Sequence, residues 1–159
     1  MDALPNFNKS KRDPKEEINE KRLREWLMRL HGVHWQPVET YTSQGVPDLN
    51  YRTLNHEGWI ELKTIRRPAR ASTLVNIELR SSQVAWISKR QQAGGTVWVL
   101  LAIGYHTLVL LTGHAALELQ MNPQPYKGLL DYASWYCELR PWPRETLLAP
   151  LDKGYGDDG

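Results

Sequence analysis

The stretch Trp59–Ile65, with the sequence WIELKTI, alternates in a way that is typical of a β-strand with two different faces. Glu61 and Lys63 are two positions apart, so they project from the same face of such a strand. Charged side chains are unfavourable on a sheet face that covers a core. Two charged residues on the same strand face therefore indicate a candidate functional site.

A third charged residue precedes this strand, in the segment GVPDL at residues 45–49. Asp48 of this segment stands thirteen positions before Glu61, and residues 48–54 have a composition that favours a strand. Residues 55–58, NHEG, have the composition of a turn. We therefore predict an antiparallel hairpin that brings Asp48 alongside the charged pair of the second strand.

Helical and extended patterns surround the hairpin. Before it, the apolar spacing predicts a helix over residues 15–31, and a short run predicts a strand over 33–41. The segments predicted after it are a helix from Ser81 or Ser82 to Gln92 that ends at Gly94-Gly95, a buried strand over 96–103, a strand over 106–111, and helices over 114–119 and 129–139. This α-β-β-β-α-β order predicts a single-domain α/β fold, with a central mixed β-sheet flanked by helices.

The length of 159 residues is that of one ordinary domain. We expect a basic extension over residues 1–14, the core over 15–120, and a Pro- and Trp-rich extension over 121–159 whose tail, from Asp152, is disordered. No apolar run approaches the ~18 residues of a membrane span, and the start lacks a signal-peptide pattern. These features predict an intracellular, cytoplasmic protein without a membrane partner, and the single cysteine excludes an internal disulfide.

The basic residues are unevenly distributed, although the net charge is only +2. Residues 63–90 contain seven Lys or Arg and one acidic residue, which gives 7 − 1 = +6. Lysine and arginine gain affinity for polyanions by releasing condensed counterions from phosphates. This stretch is therefore a candidate nucleic-acid-binding face, and a solvated surface that happens to be basic explains the same charge equally well.

The carboxylates of Asp48 and Glu61 are the kind of ligand that Mg²⁺ takes, together with waters and phosphate oxygens. Such an ion polarises a scissile phosphate and lowers the pKa of an attacking water. Lys63 would orient or deprotonate that water, or stabilise the developing charge, and the sequence leaves these roles open. Gly45 would allow close backbone approach there, though an ordinary turn glycine explains it as well. The other interpretation is a surface salt bridge between Glu61 and Lys63.

GVPDL followed by IELKT resembles the signature of the PD-(D/E)xK nucleases, with Pro47-Asp48 as its first half and Glu61-Leu62-Lys63 as its second. The resemblance covers about residues 16–111 and is nearest to small members of the virus-type replication-repair (VRR-NUC) and archaeal Holliday-junction-resolvase kinds. It implies a restriction-endonuclease-like core and an endonuclease that uses Mg²⁺ or Mn²⁺ to hydrolyse phosphodiester bonds in DNA. The implied substrate is branched or structured DNA in replication or recombination, and by analogy the setting is viral or a mobile element.

Two further residues are implicated because family members often place similar residues near the metal. Glu20 lies three positions before Leu23, on the predicted inward stripe of the first helix, and would be a third carboxylate. An exposed ion pair with Arg24 is the other interpretation. Gln83 resembles a glutamine that relatives place beside the catalytic lysine, although Ile87 stands where some relatives have tyrosine. An ordinary polar residue in a first helical turn explains Gln83 too.

The remaining expectations concern DNA and assembly. The residues expected to hold phosphates are Arg66, Arg67, Arg70 and Arg80. Paired incisions on two strands favour a two-fold homodimer, for which the apolar run 96–111 and the aromatic residues Trp135, Tyr136 and Trp142 would supply surface, unless all of them are core. The rival functions are a sequence-specific or nicking endonuclease on the same fold, and a nucleic-acid-binding protein without catalysis.

Overall fold

The computed structural model describes residues 18–39 and 44–155, and within them the elements follow the predicted order. The helices are α1 (Glu20–Leu27), α2 (Ser81–Gln92), α3 (Gly113–Met121), α4 (Tyr126–Leu129) and α5 (Leu148–Lys153), with 3₁₀ turns at Leu130–Tyr132 and Arg144–Leu147. The strands are β1 (His34–Pro37), β2 (Leu49–Arg52), β3 (Glu57–Ile65), β4 (Val97–Ile103), β5 (Thr107–Thr112) and β6 (Trp135–Cys137).

All six strands form one mixed sheet in the order β1-β2-β3-β4-β5-β6. Strands β3 and β4 are parallel, and every other neighbouring pair is antiparallel. Parallel neighbours need a crossover connection, which α2 provides here. The predicted α/β fold with a central mixed sheet and flanking helices is confirmed. The two edges of the sheet are β1, with four residues, and β6, with three.

Each face of the sheet has its own hydrophobic core. On one face, α1 and α5 cover the inner strands, and the residues buried there include Leu23, Leu27, Tyr51, Trp98 and Leu151. On the other face, α2 and α3 cover β4 and β5, and the residues buried there include Ile87, Val99, Leu101, Ala116 and Leu119. Strand β4 is therefore buried on both faces, as its apolar sequence predicts.

Two helix starts differ from the sequence-based boundaries. Helix α1 begins at Glu20 because the Asn19 side chain accepts a hydrogen bond from the Arg22 N–H at 2.9 Å, which caps the helix. The predicted residues 15–17 of this helix lie outside the described residues. The cap residue of α2 is Arg80, and neither serine caps it. The side chain of Gln83 bonds to the backbone of Arg80 instead, and this bond defines the helix start.

The helix predicted over residues 129–139 is wrong. Helix α4 and a 3₁₀ turn end at Tyr132, and residues 135–137 form β6, which pairs antiparallel with β5. Trp135 and Tyr136 favour strands, and a free edge of β5 offers them backbone partners. Of the three aromatic residues considered for an interface, Trp142 is buried in the core, Trp135 is half-buried and Tyr136 is 50% exposed.

The C-terminal residues pack against the hairpin. The Tyr51 hydroxyl donates to the Leu151 carbonyl at 3.2 Å, and the Asp152 carboxylate accepts from the backbone and side chain of Asn55 at 3.1 and 2.8 Å. The Tyr155 hydroxyl accepts from the Val97 N–H at 2.8 Å. The disorder expected from Asp152 is therefore not found up to Tyr155, because these polar groups have partners, and residues 156–159 lie outside the described part. Among helices within residues 18–39 and 44–155, none has the length and apolarity to cross a membrane.

Candidate active site

Asp48 and Glu61 lie side by side, one immediately before β2 and the other in the middle of β3. Leu49 pairs with Ile60 across the two strands, so the residues next to them, Asp48 and Glu61, become neighbours. The Asp48 carboxyl group raises the pKa of Glu61 through its charge and through a hydrogen bond between the side chains. The Leu62 N–H donates to Asp48 Oδ2 at 2.8 Å, which fixes the orientation of that carboxylate. The structure thus brings together the two predicted metal ligands.

Glu61 is buried, with only 4% of its surface exposed. Burial, followed by the charge of Asp48, raises the pKa of Glu61 from 4.5 to about 8, whereas Lys63 opposes the shift. Without a cation between the two groups, Glu61 is therefore largely protonated at neutral pH, because two charged carboxylates at this place would repel each other. A bound divalent cation would relieve this repulsion, and this donor set fits the oxygen ligands that Mg²⁺ or Mn²⁺ takes.

Gln83 connects helix α2 to Glu61. Its Nε2 donates to Glu61 Oε2 at 2.7 Å, while its Oε1 accepts from the Arg80 N–H at 2.9 Å. The side chain is 3% exposed and has both ends of its amide engaged. Gln83 therefore holds the Glu61 carboxylate in one orientation, which an ordinary polar residue in a first helical turn would not do.

Lys63 is half-buried on the same face of β3 as Glu61. Its Nζ donates to the Glu78 carbonyl at 3.2 Å. Glu78 has a φ of 62°, a left-handed conformation that is unusual for a residue with a side chain. Since Glu61 is buried and the Lys63 ammonium bonds to a backbone carbonyl, the arrangement is not that of a surface salt bridge.

Glu20 is exposed, in contrast to the inward position expected from its spacing. As the first residue of α1, it lies at the end of the helix, beyond the part that packs its leucines on the sheet. Its charge nevertheless adds to the rise in the pKa of Glu61, which places it near the site. Within residues 18–39 and 44–155, no three His, Cys, Asp or Glu residues are grouped closely enough to hold a metal ion. The role of Glu20 as a third ligand stays a prediction.

Gly45 places the segment before Asp48 against the start of α2. Its φ is 83°, and a Cβ added there would overlap the backbone carbonyl of Ser82. A left-handed turn and a close backbone approach are thus both present at this position. The close approach brings the segment that carries Asp48 to the helix that carries Gln83.

The four predicted phosphate-binding arginines lie on the segment between β3 and α2. Arg66, Arg70 and Arg80 are exposed, while Arg67 is half-buried with its guanidinium 5.8 Å from the centre of the Tyr126 ring. Arg66 and Arg67 line a cleft of about 390 Å³ at the end of β3. Three of the four side chains are thus accessible to phosphates, and Arg67 also packs against the protein.

A group of residues that sequence analysis missed lies at the other end of β3. The guanidinium of Arg90 lies 5.3 Å from the ring centre of Trp59 and 4.6 Å from that of Trp86. The alternation of β3 already put Trp59 on the same face as Glu61. The helix residues Trp86 and Arg90 gave no comparable signal, because their approach to Trp59 depends on how α2 packs.

The raised pKa of Glu61 predicts how stability changes with pH. The folded value of about 8 exceeds the ordinary 4.5, so between these values the folded protein binds more protons than the unfolded chain does. Stability therefore falls as the pH rises through this window. We expect the metal-free protein to lose melting temperature from about pH 5 to pH 8 more steeply than its Glu61→Gln variant. Thermal melts in EDTA measure both slopes, and equal slopes would contradict the prediction.

No family model matches this chain, and no curated protein matches it. Among solved structures, the chain is similar to Hjc, a Holliday junction resolvase of Archaeoglobus fulgidus, with 12% sequence identity and a TM-score of 0.45. The similarity covers 70% of this chain and 99% of that chain. At this distance the likeness does not assign an activity to the protein.

Proposed function

We propose that this protein is a metal-dependent endonuclease of the PD-(D/E)xK type that hydrolyses phosphodiester bonds in branched or structured DNA. The observation that supports this most directly is the contact between Asp48 and the buried Glu61, with Lys63 on the same strand face. Two carboxylates held together on neighbouring inner strands of the sheet, beside a lysine, suit phosphodiester hydrolysis.

Asp48 and Glu61 would hold Mg²⁺ or Mn²⁺, and the ion would supply an activated water and neutralise charge on the phosphate. Both carboxylates are already held in a fixed orientation before a metal ion binds. The Leu62 N–H fixes one carboxylate and Gln83 fixes the other. Such preparation means that little reorganisation is needed when substrate binds.

Lys63 would act on the phosphate or on the attacking water. Its bond to the Glu78 carbonyl uses one of the three ammonium protons. The other two protons can be donated to oxygens of the substrate. A fixed positive charge at this place stabilises the negative charge that develops on the phosphorane.

Arg66, Arg70 and Arg80 would bind phosphates away from the scissile bond, with Arg67 contributing from the cleft wall. Their exposure and their position on the segment that leads from β3 to α2 support this role. Contacts of this kind add affinity without sequence preference. They would therefore suit an enzyme that recognises the shape of DNA, of the small VRR-NUC or resolvase kind, acting in the cytoplasm of a cell or of a virus-infected host.

Resolution of a four-way junction would require two active sites, and we propose a two-fold dimer for it. The run at residues 96–111 is not available for an interface, because it is buried within the chain from Val97 to Ile103 and again from Thr107 to Leu111. Tyr136, on the edge strand β6, keeps 50% of its surface exposed. Light scattering together with the number of incisions per junction distinguishes a dimeric resolvase from a monomeric nickase.

The metal requirement tests the proposed function. We expect cleavage in Mg²⁺ or Mn²⁺, no cleavage in EDTA, and DNA binding with little cleavage in Ca²⁺, which is larger and less demanding in geometry. The measurement is product mapping on a four-way junction, a flap, a linear duplex and a single strand. Full activity in EDTA would contradict a metal mechanism. Binding without cleavage in Mg²⁺ would identify a non-catalytic binding protein, and cutting at one sequence of linear duplex would identify a restriction-type enzyme.

A further inference from the structure

A cleft of about 300 Å³ lies at the beginning of β3, on the same sheet face as the carboxylate pair. Its lining includes Trp59 and Arg90, together with the amide side chains of Gln36 and Asn50 and the carboxylate of Glu57. The volume is at the small end of the range for ligand sites, which suits a single nucleobase better than a larger group.

The cleft is close to the proposed metal site. Trp59 precedes Glu61 by two residues on the same strand, so their Cα atoms are about 7 Å apart. On the neighbouring strand, Asn50 pairs with Trp59, and Asp48 lies two residues before it. The aromatic cleft and the carboxylate pair are thus neighbouring sites along two paired strands. A nucleotide next to a phosphate at the carboxylates would have its base at the cleft.

Trp59 and Arg90 form a stacking surface whose position is fixed. Trp86, which does not line the cleft, contacts the Trp59 ring edge-on at 5.1 Å between centres and also holds the Arg90 guanidinium. Gly95 has no side chain, and a Cβ there would overlap the aliphatic part of Arg90. Indole and guanidinium planes are the groups on which unpaired bases stack in single-strand-binding proteins.

The charges of the cleft favour a base over a phosphate. Among the described residues that line it, Arg90 is the one basic side chain, and Glu57 contributes the opposite charge. The amide of Asn50 is fixed, because its Nδ2 donates to the Gly58 carbonyl at 3.0 Å. The cleft is therefore almost neutral, has an aromatic wall and has amides at its edge. These are features of a site for a planar polar ring.

We propose that this cleft binds an unpaired base next to the scissile phosphate, so that the preferred substrate is DNA with an unstacked nucleotide beside the cut. This inference rests on the proposed function, which places the phosphate at Asp48 and Glu61. A base inside a duplex has both faces covered by its neighbours and cannot stack on Trp59 or Arg90 unless it leaves the helix. Flaps, loops and opened junctions supply such a base, and continuous duplex does not.

The test measures binding in Ca²⁺ by fluorescence anisotropy, on a flap substrate and on a duplex of equal length. Arg90→Ala weakens binding to the flap by about tenfold, since stacking of one base has an effect of this order. For duplex DNA, the change in affinity caused by Arg90→Ala is no larger than the change caused by Lys89→Ala, which is the matched control. Lys89 is the exposed basic residue next to Arg90 on α2 and does not line the cleft.

Abasic nucleotides placed one at a time along the flap provide the second measurement. In the wild-type protein, one position loses about tenfold in affinity when its base is removed, and in Arg90→Ala the same removal has little effect. Trp59→Phe, which keeps a smaller ring at that position, gives an intermediate loss.

Abasic sites without any effect on the wild-type protein would overturn the inference, as would equal losses in Arg90→Ala and Lys89→Ala. Because binding is measured without cleavage, the two proposals can fail separately. Base-dependent binding by a protein that never cleaves DNA would support the base-binding cleft and contradict the proposed nuclease function. Cleavage that is insensitive to abasic sites would contradict only the proposal that the cleft binds a base.

Discussion

The Asp48→Asn and Glu61→Gln variants are expected to cleave DNA at least about a thousandfold more slowly than the wild-type protein in Mg²⁺. Each substitution removes one negative charge from the proposed ligand pair and keeps the size of the side chain. In Glu61→Gln, the new amide oxygen can still accept from Gln83 Nε2, so the local fold has reason to persist. Cleavage rates under single-turnover conditions measure the loss.

Stability separates loss of chemistry from loss of folding in these variants. Glu61→Gln removes a carboxylate whose pKa is raised to about 8, so at about pH 8 the metal-free variant should melt no lower than the wild-type protein. Glu25→Gln, an exposed change on α1, is the matched control for both variants. Wild-type cleavage rates in Asp48→Asn or Glu61→Gln would show that the active site lies elsewhere.

Gly45→Ala is expected to lower activity by about a hundredfold or more, because an added Cβ would push the segment before Asp48 away from Ser82 on α2. Gly94 offers a matched comparison. Its φ is 90°, close to the 83° of Gly45, but a Cβ added there meets nothing within 4 Å. Gly94→Ala therefore has only the conformational strain of a left-handed residue, about 1–2 kcal/mol.

Thermal melts and cleavage rates of the two alanine variants separate strain from displacement. Both variants should melt at a lower temperature because of the strained left-handed backbone. Only Gly45→Ala should also have a lower cleavage rate per folded molecule. Equal activity in the two would mean that the close approach between the Asp48 segment and α2 does not position the active site.

The charged centre was predictable from sequence because its geometry is local. Alternation on β3 fixes the common side of Glu61 and Lys63, and an antiparallel hairpin has few ways to place Asp48. The position of the turn was less predictable. The Thr53 N–H donates to the His56 carbonyl, so the turn is shorter than the turn predicted from the NHEG composition. Glu57 therefore already belongs to β3.

Features that depend on distant parts of the chain were not predictable from local patterns. Residues 135–137 form a strand because β5 offers an edge, and no property of their own sequence excludes a helix. Gln83 was identified through the family resemblance, and its bond to Glu61 joins residues 22 positions apart. The contact of Arg90 with Trp59 likewise requires the packing of α2 on the sheet.

The short edge strands limit how this molecule can associate with copies of itself. A long, flat edge invites strand addition and aggregation, since its free N–H and C=O groups are a template for another chain. Here β1 has four residues and ends at Pro37, which lacks an N–H, and β6 has only three residues. Neither edge offers enough backbone for a continuous intermolecular sheet. Self-association that is specific would therefore use side-chain surfaces, and the six strands would stay a sheet formed within one copy of the chain.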